Sequence, residues 1–142
     1  MKRISWTVIL IAAITSTSCA QKIDASKVPT AVKQAFAKAH PNVTVKWEKE
    51  DGKYEAGFKT GTLTISELYT AAGIMEETET DIEVSQLPAP VLTYVKENYK
   101  GKTIKEGAKI VKADGTIIYE AEVGGKDVLF DANGKFLKEV AD

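Results

Sequence analysis

Apolar and polar residues alternate with period two along most of the chain, and two stretches switch to helical spacing. Val28, Val32, Ala35, Phe36 and Ala39 recur every three or four residues, which predicts a helix with Ser26 as its cap and Pro29 in the first turn, where a missing N–H costs little. His40-Pro41-Asn42 ends it. Val43, Val45 and Trp47 then alternate with Thr44, Lys46 and Glu48, and Tyr54, Ala56 and Phe58 alternate with Glu55, Gly57 and Lys59. Between them Asp51-Gly52 fits a two-residue type I′ turn, which pairs Trp47 with Ala56 and Val45 with Phe58 and puts every large apolar residue on one face. Strands are predicted from about Leu63 to Tyr69 and from Ile74 to Asp81, joined by Ala71-Ala72-Gly73.

The same plan returns further along. Pro88 to Asn98 has helical spacing, with Val91, Leu92, Val95 and Tyr99 towards the core, and Ile104 to Lys112 reads as a strand turning at Asp114-Gly115. The register of the first turn, applied here, pairs Ile110 with Tyr119 and Ala108 with Ala121 on the core face. It sets Lys109 against Glu120 and Val111 against Ile118 on the other face. Gly124-Gly125 and Asn133-Gly134 close two more hairpins, leading through Val128, Leu129 and Phe130 to Phe136, Leu137 and Val140. Val28-Pro29 recurs as Leu87-Pro88 at an offset of 59, Asp51-Gly52 as Asp114-Gly115 at 63, and Leu68 to Gly73 as Leu129 to Gly134 at 61. Three landmarks in one order predict a duplication, with units at 21–85 and 86–142. The expected class is α+β: two repeats, each a helix plus a four-stranded antiparallel meander, forming one sheet of about eight strands with both helices on one face.

Residues 1–20 read as an export signal. Met1-Lys2-Arg3 is cationic, Ile4 to Ile14 is apolar and uncharged, and small residues follow from Thr15 to Ala20. An apolar run of about 11 residues is short against the roughly 20 of a membrane-spanning helix. Ser18 and Ala20 fit cleavage before Gln21, whereas Ser18-Cys19 resembles the end of a lipoprotein signal, which would leave Cys19 as a lipidated N-terminus. Both routes place the mature protein in the periplasm or cell envelope, with the membrane reached only through a lipid anchor on Cys19.

Composition narrows the function. A net charge of -1 lacks the cationic footprint of a nucleic-acid binder. One Cys and one His leave no zinc cluster and no internal disulfide. With His40 as the only imidazole, and without Gly-x-Ser-x-Gly, Ser-x-x-Lys, a Gly-rich phosphate loop or a Rossmann fingerprint, no catalytic set and no cofactor is expected. His40, beside Pro41 at a helix end, reads as a structural group serving the last carbonyls. The run Glu76 to Glu83 reads as a solvated strand, since alternation spreads Glu77, Glu79 and Asp81 about 7 Å apart. Its carboxylates also leave open a small-ligand or Ca²⁺-sensing module as the alternative function.

The Val/Leu-Pro-x-x-Val openings at Val28-Pro29 with Val32 and Leu87-Pro88 with Val91, the strands about Asp-Gly, and the Asp131-Ala132-Asn133-Gly134 turn resemble the PepSY-like, beta-lactamase-inhibitor-like family over about Lys27 to Glu139. The resemblance implies a helix on each four-stranded meander, tandem copies joined in one curved sheet, and no defining catalytic residue. It further implies binding through a concave sheet and an acidic hairpin tip, for which Asp51 is the nearest counterpart. The expected function is therefore a non-enzymatic envelope protein whose open sheet face binds another exported protein, a peptidase or other hydrolase, with inhibition as one form of that binding. The candidate face comprises Lys46, Glu48, Asp51, Glu55, Lys59, Lys109, Val111, Ile118, Glu120 and Glu122. Val111 and Ile118, read as an apolar cross-strand pair on a wet face, would invite a partner or a homodimer.

Overall fold

Asp24 accepts a hydrogen bond from the Ser26 amide at 2.8 Å and closes a 3-10 turn, Ala25–Lys27, ahead of the first helix. Ser26 is therefore not the helix cap. Helix α1, Thr30–Ala39, is entered from Pro29. Its counterpart α2, Ala89–Asn98, follows a second 3-10 turn, Val84–Gln86, in which Glu83 and Gln86 satisfy each other's backbone amides. In this computed structural model, which describes residues 20–141, the strands are β1 Gln21–Ile23, β2 Val45–Glu50, β3 Lys53–Thr60, β4 Leu63–Tyr69 and β5 Met75–Ile82. After α2 come β6 Ile104–Lys112, β7 Ile117–Val123, β8 Lys126–Asp131 and β9 Phe136–Ala141. The segment expected to be an export signal, Cys19 included, lies outside the described residues, apart from Ala20.

Among the described residues the fold is α+β, with two α-helices and one nine-stranded antiparallel sheet whose strands follow chain order from β1 to β9. The strand beyond the expected eight is β1, which pairs Gln21 to Ile23 with Lys49 to Trp47 along the edge of β2. Three residues are too few for alternation to announce a strand.

Two apolar clusters hold the layers together. Val28, Val32 and Phe36 pack with Trp47, Tyr54, Ala56, Phe58 and Tyr69. Leu87, Val91 and Val95 pack with Ala121, Val123, Val128 and Phe130. Leu92, expected inside, is exposed on α2, and Ala39 is exposed on α1. The Asp51-Gly52 turn has positive φ at both residues, 48° and 78°, as a type I′ turn requires, and the expected pairs Trp47 with Ala56 and Val45 with Phe58 are present.

The second Asp-Gly turn differs by one residue. Only Gly115 has positive φ, 86°, while the Asp114 carboxylate accepts from the Thr116 amide at 2.8 Å. The Lys112 amide donates to the Thr116 carbonyl, so Ala113, Asp114 and Gly115 form a three-residue loop. The register becomes Lys109 with Tyr119, Ile110 with Ile118, Ala108 with Glu120 and Val111 with Ile117. Tyr119 packs against the α2 cluster, so Lys109 and Val111 share its side of the sheet, and Ala108 and Ile110 project from the opposite one.

Each helix is also gripped by a hairpin turn. A Cβ on Gly73, between β4 and β5, would lie 2.6 Å from the Ala31 carbonyl oxygen on α1. One on Gly134, between β8 and β9, would meet Pro90 at 3.0 Å on α2. Gly73 also has φ +81°. Gly73→Ala should therefore cost ~2 to 4 kcal/mol in urea unfolding, against ~1 kcal/mol for Gly115→Ala, whose Cβ meets nothing within 4 Å.

Candidate functional site

The side of the sheet away from the two clusters carries most of the expected face. One row across it runs Glu48, Glu55, Leu68, Glu77 and Lys112. The next runs Lys46, Gly57, Ser66, Glu79, Ile110, Ile118 and Asp131. A third contains Asp81, Ala108, Glu120 and Leu129, and Glu122 with Asp127 lies beyond it. Lys59 shares this parity on β3, and Asp51 sits exposed at the β2–β3 tip. Lys46, Glu48, Glu55, Lys59, Ile118, Glu120 and Glu122 thus stand on one surface. Lys109 and Val111 do not, and Val111 and Ile118 are no longer a pair: the three-residue loop moves both Lys109 and Val111 to the helix-packed side and brings Ile110 opposite Ile118 instead. The sequence reading also left Glu77, Glu79 and Asp81 out of the face. Their alternation was the available signal, but it does not show that β5 lies in the middle of the sheet.

Carboxylates crowd this surface. Glu79 is pushed up to about 7, first by burial and then by the charges of Glu55, Asp81, Glu77 and Asp127. Glu55 is also raised, chiefly by burial, with a Ser66 hydrogen bond acting against the shift. Lys112 pairs with Glu77 at 2.9 Å and Lys105 with Glu122 at 3.1 Å. A cavity of about 710 Å³ opens over β3, lined by Lys46, Glu55, Gly57, Lys59, Ser66, Glu79 and Asp81 and walled by residues 42–44. Among the described residues, no three His, Cys, Asp or Glu side chains are grouped to hold a metal ion.

On the helix-packed side, Glu67 is the buried charged residue of the core, 8% exposed. It projects from β4 beside Ala56, whose small side chain leaves it room. Tyr69 donates to one carboxylate oxygen at 2.5 Å and the His40 ring nitrogen lies 2.9 Å from the other. Burial and Glu67 together raise the Tyr69 hydroxyl well above its ordinary range. The His40 ring lies against Phe58 and Phe36, with centroids 4.5 and 5.0 Å away. Expected to serve the last helix carbonyls, the His40 side chain instead meets Glu67. Glu67 itself was not foreseen, because a carboxylate in an alternating strand reads as an outward residue.

An antiparallel sheet backed by helices, with an acidic open face, defines a class of small α+β proteins. Within that class the family model named "Putative beta-lactamase-inhibitor-like, PepSY-like" matches residues 15–71 and 53–138, and the chain belongs to this PepSY-like family. Solved structures share the fold. A protein of Bacteroides eggerthii, described as a putative periplasmic protein, superposes with a TM-score of 0.70 at 18% identity, covering 80% of this chain and 88% of its own. A DUF2874 family protein of Bacteroides ovatus gives 0.68 at 21%, covering 80% and 86%. A BLIP-like protein of Bacteroides fragilis gives 0.59 at 25%, again covering 80% and 86%. No curated protein matches the chain.

Two measurements check these sites. The folded protein holds the Glu79 proton up to about pH 7, whereas the ordinary value is 4.5, so stability falls as pH rises from about 4.5 to about 7 and the loss is complete above that window. Glu79→Gln should therefore stabilise by ~1 to 3 kcal/mol at pH 8 and change little at pH 4, in chemical denaturation at both. Tyr69→Phe leaves one oxygen of Glu67 without its donor and should cost ~1 to 3 kcal/mol by the same assay.

Proposed function

We propose that this chain is an exported, non-enzymatic binding module of the periplasm or cell envelope, and that the acidic sheet face is where it holds another exported protein. The carrying observation is the gathering of Glu55, Glu77, Glu79, Asp81, Glu120 and Asp127 on one broad face of a chain whose net charge is only -1. Crowding like charges at a half-buried surface costs stability, and such a cost fits a surface shaped for a partner rather than for folding. Family membership and the BLIP-like neighbour support protein binding, and the cationic, apolar, small-residue order of residues 1–20 supports export. The partner is a peptidase or other hydrolase of the same compartment, and restraint of its activity is one outcome of binding.

The duplication belongs to this reading. Apart from β1, each half runs 3-10 turn, helix and four strands, and in each a hairpin glycine sits against the first turn of the helix. Register supports both helices lying on one face, since Tyr69 and Glu67 of the first cluster side lead through Thr78 and Val111 to Ile117 and Tyr119 of the second. Cleavage before Cys19 or before Gln21 leaves β1 whole in either case. Acylation of Cys19 is the tether we assign if the first route operates.

Affinity capture from envelope extract of the source cell, with crosslinking, tests the face. Ile118→Asp should lose a specifically captured protein, and Val111→Asp, on the helix-packed side, should retain it. Capture that survives Ile118→Asp with the fold intact by circular dichroism would sink the assignment.

A further inference from the structure

Gly57 lies mid-strand in β3 on the acidic face, between Lys46 and Ser66. Its φ lies outside the left-handed region, and an added Cβ would meet nothing closer than the Lys46 carbonyl oxygen at 3.8 Å. Neither turn geometry nor packing requires glycine there. A glycine inside a strand weakens the sheet, and where nothing internal calls for it, it marks the approach of another chain or a ligand. Its missing side chain leaves the floor of the 710 Å³ cavity bare.

The walls define what fits. Glu55 and Glu79 stand half-buried in the cavity, whereas Lys46 and Lys59, which also line it, are exposed. The ion pairs Lys112–Glu77 and Lys105–Glu122 take up neither Glu55 nor Glu79. We propose that this cavity receives one lysine or arginine side chain of the partner protein, its stem passing over Gly57 and its cationic head held between Glu55 and Glu79. An anionic or neutral side chain would leave the two desolvated carboxylates repelling each other, and a cation relieves them through charge-assisted hydrogen bonds. The assignment rests on the sheet-face reading above and specifies the chemistry that face selects.

Fluorescence anisotropy tests it, with the protein purified after export and a labelled peptide of alternating leucine and arginine. The same peptide with citrulline at each arginine is the charge control. The arginine peptide should bind at least about tenfold more tightly than the citrulline peptide. Gly57→Val, and separately Glu55→Gln with Glu79→Gln, should each weaken it by about tenfold or more while the melting temperature holds or rises. Equal affinity for the two peptides, no binding of the arginine peptide at millimolar concentration, or undiminished binding by a folded Gly57→Val overturns the proposal. Capture of the natural partner separates the two ideas. Loss with Ile118→Asp but not with Gly57→Val removes the cavity assignment and leaves the face, and retention in both removes both.

Discussion

The two halves of the sheet are joined by the β5–β6 ladder. Glu77 to Ile82 pair with Lys112 to Gly107 in unbroken antiparallel register, and the Ala113 amide extends the ladder to the Glu76 carbonyl at 2.7 Å. Because side chains alternate strictly, this ladder fixes which residues of the second half share a face with which residues of the first. Tyr69 and Phe130 belong to separate clusters on separate helices, and the acidic face from Glu55 to Glu120 crosses both halves. A slip of one residue at β5–β6 would turn one cluster outward and break the acidic face in two.

Burial and charge divide the two sides of the sheet differently. On the helix-packed side Glu67 is buried with two hydrogen-bonding neighbours, so its oxygens are satisfied within the core. On the opposite side Glu79 is half-buried among other carboxylates, and burial first and their charges second drive its proton affinity upward. The first arrangement fixes the end of α1 against β4. The second stores an electrostatic cost at a solvent-facing surface, where a cationic group from outside can lower it.

Much of this was legible from residue order. Val32, Phe36, Trp47, Phe58, Val91, Val95 and Phe130 announce themselves as core by periodicity, and Asp51-Gly52 sets the first hairpin because both residues accept left-handed geometry. The second Asp-Gly misled because the same dipeptide has a second option: the Asp114 carboxylate caps the Thr116 amide, and Ala113 joins the loop. Either turn is locally sound and both keep Tyr119 and Ala121 under α2, so the choice falls to which residues of β6 share their side, Gly107, Lys109 and Val111 rather than Ala108 and Ile110. Gly107, with Leu87 of the α2 approach only 3.3 Å from where its Cβ would lie, pairs with Ala121 and accommodates that packing.

Sequence alone determined the α+β class, the helices at 30–39 and 89–98 and the hairpin order, because each depends on periodicity within a short window. Only the tertiary structure decided the face of Lys109, Val111 and Ile110, the presence of β1, the buried His40–Glu67–Tyr69 group and the clustering of acid on the open side. These depend on which strands become neighbours. That is set by packing across tens of residues, and a carboxylate in an alternating strand looks the same in the sequence whether it meets water, a tyrosine or another carboxylate.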